Sequence, residues 1–127
     1  MVSRTMLASI PVAPWCRMEC LILPAPAVDL TRLARQTQGD AALEREVLRL
    51  FADRIDGDFD RLCAAPATGR REIAHLIVGS ASAIGAEDVV RLAREIERGG
   101  GETAAQMAAL GAAIDAAQKF IASYLAA

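Results

Sequence analysis

Apart from carboxylates, few side chains in this sequence could act as a strong nucleophile or bind a soft metal, and they are thinly spread. There is one histidine, His75, and there are three cysteines, Cys16, Cys20 and Cys63, with no Cys-x-x-Cys pair among them. A zinc site would have to be completed by carboxylates, an uncommon ligand set for a structural metal, so no metal is predicted. Asp56-Gly57-Asp58 has the beginning of a calcium loop but not its twelve-residue ligand pattern with a closing glutamate. The thiols read as those of a reduced cytosolic protein, and Cys63 reads as packing. That leaves His75, whose neutral imidazole is a competent nucleophile near neutral pH.

The run Arg71-Glu72-Ile73-Ala74-His75-Leu76-Ile77-Val78-Gly79-Ser80-Ala81-Ser82-Ala83-Ile84-Gly85 holds this histidine. At about 100° per residue, a helix puts Ile73, Leu76, Ile77, Ser80 and Ile84 on one side, predicted as the core. His75, Val78, Gly79 and Ser82 fall on the other, predicted as the functional face. A glycine inside a helix costs roughly 0.5–1 kcal/mol relative to alanine, so in a chain this rich in alanine Gly79 needs a reason. Helical side chains lean toward the N-terminus, and a residue at 79 would lean over the His75 ring. Glycine leaves that approach open. Hydrolysis or acyl transfer would need a second catalytic group and an oxyanion hole; Ser82 is two turns away and Ser80 is predicted to face inward. A nucleophile on a convex surface suits a reaction whose other half arrives on a partner protein.

The elements that must carry this face are helices. Asp29 is a capping residue for a short helix with Leu30 and Leu33 inward, ending near Gly39. Asp40 caps a longer one, on which Leu43, Val47, Leu50, Phe51, Ile55, Phe59 and Leu62 keep helical spacing. Thr68 is the expected cap of the His75 helix, and Gly85 its left-handed end. A fourth helix buries Val89, Leu92, Ala93 and Ile96 and stops at Gly99-Gly100-Gly101. Thr103 with Gln106 makes a capping-box signature for the last helix, striped by Met107, Leu110, Ile114, Ala117, Ile121 and Tyr124. The predicted fold is all-α: an antiparallel up-down four-helix bundle with a short leading helix, over residues 28–127. Residues 1–27 differ in character. Pro11, Pro14, Pro24 and Pro26 interrupt every apolar run, which rules out a signal-peptide core or a transmembrane span there. The stretch reads as a flexible tail, a start placed too far upstream, or a partner-binding segment around Trp15.

Composition agrees with that architecture. The chain has 127 residues, enough for one domain with a real core. Hydrophobic residues make up 54% and aromatics 4%, which favours closely packed helices over a β-sandwich. A net charge of −2 offers no field for nucleic acid or an anionic membrane.

The segment from Ala74 to Ala86, with histidine, then glycine four residues on, then Gly85-Ala86, resembles the signature of histidine-containing phosphotransfer (HPt) domains of bacterial phosphorelays. The similarity extends over about Val28 to Leu125, including Val28-Asp29-Leu30 and the Leu92–Glu97 segment. The resemblance implies a phosphoryl carrier and no enzyme of its own: His75 would accept a phosphoryl group from a response-regulator receiver aspartate and pass it to another receiver. It implies no cofactor, with magnesium supplied by the receiver, and a cytoplasmic monomer whose partners are receiver domains, that of a hybrid histidine kinase included. Arg71, Val78, Gly79 and Ser82 would border the phosphate or the docked partner. Many family members carry lysine where this chain has Val78, and Arg71, one turn before His75, points away from it, while Glu72 adds negative charge. Ser82 is placed to donate to a phosphoryl oxygen or to the partner. The alternative is a non-catalytic HPt-like adaptor that binds or sequesters a receiver.

Overall fold

The computed structural model describes residues 26–127; what was expected of residues 1–25, the tail and Trp15 segment included, lies outside them, as do Cys16 and Cys20. The described residues form five helices: α1 (Leu30–Thr37), α2 (Ala41–Ala64), α3 (Ala67–Ile84), α4 (Glu87–Arg98) and α5 (Thr103–Ala126). The four longer ones close a ring in which α2 packs on α3, α3 on α4, α4 on α5 and α5 back on α2. Each follows its predecessor after a short turn, so neighbours run antiparallel, as in an up-down bundle. The leading helix α1 packs on α2 and α3.

Local chemistry sets most of the boundaries. The Asp29 carboxylate accepts from the backbone N–H groups of Thr31 and Arg32, at 3.0 and 3.3 Å, and Asp40 accepts from Leu43 N–H at 3.0 Å. Each satisfies donors that a helix start leaves unpaired. Gln38 and Gly39 take positive φ after α1, and Gly99 does so after α4. Two expected caps differ. Pro66, not Thr68, precedes α3, and Thr68 lies inside its first turn. Proline presets the φ of a helix entrance and lacks the N–H that would go unpaired there. Glu102, not Thr103, caps α5, accepting from Ala104 N–H at 2.9 Å.

The core runs the length of the bundle through Leu33, Leu48, Ile55, Leu62, Ile77, Ile84, Leu110 and Ile121, with Ala74, Ala81, Ala93 and Ala117 equally buried. Those alanines let backbones approach closely, which is how a chain poor in aromatic rings fills its interior. On α2 the expected stripe is displaced: Leu48 is buried, while Leu43 and Leu50 are exposed. Leu30, expected inward, is also exposed, and Leu92 and Met107 are only partly buried. Cys63, read as packing, is an exposed free thiol. Gly57 does not interrupt α2.

The largest correction concerns the face that α3 buries. Ala74, Ile77, Val78, Ala81 and Ile84 point into the core, whereas Leu76 and Ser80 are exposed. The buried face is turned by about 80° from the one read off the large aliphatics. α4 follows α3 after only Gly85 and Ala86, and the small Ala74 and Ala81 side chains permit the close approach such a hairpin demands. Burying them costs Leu76 its place inside.

Candidate functional site

His75 lies mid-helix on the outer side of α3, its side chain 71% exposed. The alanines beside it on the buried face anchor the backbone, so a mobile loop is not what presents the ring. Its Nδ1 is 2.8 Å from Oε2 of Glu97, in the last turn of α4, a side chain 25% exposed. An ionised carboxylate only accepts hydrogen bonds, so Nδ1 carries the proton and donates it. The neutral ring then has its lone pair on Nε2, which Glu97 leaves free. A second-partner carboxylate of this kind fixes both the tautomer and the orientation of an imidazole.

Glu97 was not singled out from the sequence as a partner. The signal was available: His75 and Glu97 stand 22 residues apart, equally far from Ala86 in the turn. An antiparallel helical hairpin brings such positions side by side.

Gly79 is exposed, with ordinary helical φ, and a Cβ built there would meet nothing within 4 Å. The fold therefore does not require glycine at this position; the space beyond it is open. Ser82 is half-buried, at the edge of the exposed face. Arg71 is exposed near the start of α3 and lines a cavity with Glu97. Val78 departs from expectation. It is 7% exposed and belongs to the core, so it does not border an incoming phosphate. It lies beside Ala74 and Ala81 on the buried face of α3, which is why an apolar residue fits there. Of the residues expected to share the outward face, the structure leaves His75 and Gly79 fully outward, Ser82 partly so, and Val78 inside.

In exchange, the rotation of α3 exposes an apolar strip next to the histidine. Leu76 is 59% exposed and Leu50 of α2 54%. Together with Val47, Phe51, Ser80 and Ala83 they line a groove of about 280 Å³ between α2 and α3, edged by Arg54, Asp58 and Arg61. Among the described residues no group of three or more His, Cys, Asp or Glu side chains could hold a metal, and no helix is long and apolar enough to cross a membrane. No family model matches the chain, and neither a curated protein nor a solved structure matches it.

Proposed function

We propose that this protein is a phosphoryl carrier of the HPt kind, with His75 as the acceptor and donor. The observation that carries the reading is the Glu97–His75 pair, which engages Nδ1 and leaves Nε2 free on a rigid helix beside the open surface of Gly79. Nε2 attacks the phosphorus of an aspartyl phosphate on a receiver domain; the N–P bond forms as the acyl phosphate O–P bond breaks, and the receiver carboxylate leaves. Positive charge that develops on the ring is offset by the Glu97 carboxylate, which holds the Nδ1 proton throughout. The reverse displacement on a second receiver returns the phosphoryl group to a carboxylate. Positioning and charge stabilisation are what such a transfer chiefly needs.

The same region supports docking. The Leu50–Leu76 groove begins at the residue next to His75, and exposed large aliphatics beside a reactive group are a common form of partner surface. With Val78 in the core, no lysine equivalent stands near the ring on α3, and the magnesium and positive groups of the receiver carry the charge of the transferred phosphate. The carrier is not an enzyme on this reading, and it needs no cofactor of its own.

The test is transfer from radiolabelled phospho-receivers, run across the receivers of the same genome. The expected product is an acid-labile, alkali-stable label on the protein that is absent from His75→Ala. If no receiver labels the protein, yet His75→Ala and the parent bind receivers equally, the carrier reading fails and a receiver-binding adaptor replaces it.

A further inference from the structure

The end of the bundle where α3 begins, α4 ends and α5 begins holds a cavity of about 300 Å³, away from the apolar groove. Its wall includes Arg70 and Arg71 of α3, Arg98 at the end of α4, Gly100 and Gly101 of the following turn, and Gln106 of α5. Arg71 and Arg98 make no ion pair among the described residues. Arg70 spends one terminal nitrogen on the Ala65 carbonyl at 3.3 Å, while its Nε is buried without a partner. The one carboxylate in the wall, Glu97, is engaged by His75. Glu102, next along the chain, is turned to the Ala104 N–H.

We infer that this cavity binds a phosphate-class anion. Three arginines line it from two helices against the single carboxylate of Glu97, which keeps its charge in the hydrogen bond to His75, so the wall carries a net positive charge. Arginine forks match phosphate oxygens with paired, charge-assisted hydrogen bonds, and a tetrahedral dianion can accept from several directions at once where a planar carboxylate fills one fork. Backbone donors add to the set: the caps of α4 and α5 are closed by the N–H groups of Gly99, Ala104 and Gln106, which leaves those of Gly100 and Gly101 unused by either cap. Gln106 folds against Gly101 so closely that any side chain at that position would collide with its amide. The glycine thus keeps the Gln106 amide in the wall. The site is distinct from the Nε2 side of His75 and does not depend on His75 carrying phosphate.

The experiment is an NMR titration of the full chain at constant ionic strength, with orthophosphate and a nucleoside monophosphate as separate arms and chloride as control. The expected result is a saturable shift of the Arg71 and Arg98 Nε–H resonances together with the Gly100 and Gly101 amides. In the double variant R71Q/R98Q, whose altered side chains are both exposed, binding weakens by about tenfold or more with the fold intact by circular dichroism. R91Q retains it, since Arg91 pairs with Asp88 and Glu95 and lies outside this cavity. Saturation by orthophosphate identifies the free ion as sufficient; saturation by the nucleotide alone identifies a phosphate carried on a nucleoside. Absence of saturation in both arms, equal shifts with chloride, or undiminished binding by R71Q/R98Q overturns the inference. The readout involves no receiver, so its failure leaves the relay reading untouched, and failed transfer leaves this site untouched.

Discussion

Two glycines six positions apart, one inside α3 and one capping its end, are held in place by opposite kinds of constraint. Gly85 closes the helix with φ of 76°, and a Cβ there would fall 2.8 Å from both the Cβ and the carbonyl oxygen of Asp29. Asp29 N–H donates to the Gly85 carbonyl at 2.9 Å, so the start of α1 is stitched onto this turn, and Val28 and Ala86 are buried beside it. Gly79, by contrast, has helical φ and empty space where its side chain would be. Stability explains the first glycine completely and disfavours the second. A residue that the fold would replace with advantage, beside the only histidine, points to something outside the fold.

The comparison is most exposed to refutation at Gly85. Alanine there would combine a left-handed backbone, costing about 1–2 kcal/mol, with an overlap against Asp29 that cannot relax without moving α1, about 1–3 kcal/mol more. Chemical denaturation of Gly85→Ala should therefore show a loss of about 2–5 kcal/mol. A loss under 0.5 kcal/mol would mean that the turn tolerates a side chain and that the contrast with Gly79 is empty. At Gly79 the sign reverses. Gly79→Leu should gain about 0.5–1 kcal/mol from helix propensity while the rate of phosphoryl transfer falls by about tenfold or more, because a bulky side chain leans over the ring and displaces the partner. A variant both more stable and as fast as the parent would strip Gly79 of its role.

Glu97 sharpens the exposed side of the comparison. In Glu97→Gln the amide oxygen can still accept from Nδ1–H, so the tautomer is kept and the charge is lost. Being a surface change, it should leave stability within about 0.5 kcal/mol. The proposed transfer should slow by about tenfold, the size of effect expected from a partner that orients and supports a reactive imidazole. Unchanged single-turnover kinetics would show that Glu97 merely occupies the surface near His75.

The fold was legible in the sequence because its signals are local and redundant. Asp29 and Asp40 as caps, Gly85 and Gly99 as terminators, and the Leu110–Ile114–Ala117–Ile121 stripe each act within one helix. What was misread is the rotation of α3, and the cause is physical. Weighting large aliphatics makes Leu76 look buried and Val78 look outward, whereas the face that α3 buries is lined in part by Ala74 and Ala81. Small residues carry little hydrophobic weight but set how closely two helices approach. The exposed Leu50 has the same origin, since the face α2 buries is decided by its neighbours in the ring. His75 and Gly79 were readable since each is exceptional in type at its position. Glu97 was not read because its role arises only when the α3–α4 hairpin closes.

Leu76 gives the smallest expected effect on stability and the most direct test of that rotation. Had it belonged to the core, truncation to alanine would remove a buried side chain and cost about 2–5 kcal/mol. At 59% exposure, little apolar area is withdrawn from water to begin with, and the helix loses only a slight difference in propensity. Leu76→Ala should therefore change the unfolding free energy by less than about 0.5 kcal/mol. Its consequence should appear in association, because Leu76 lies between His75 and the groove shared with Leu50. Receiver affinity measured by titration calorimetry should fall, while the rate at saturating receiver stays near that of the parent. Such a split separates a docking residue from one that touches the reacting atoms. A large stability loss would return Leu76 to the interior and, with it, remove the apolar groove on which the proposed docking depends.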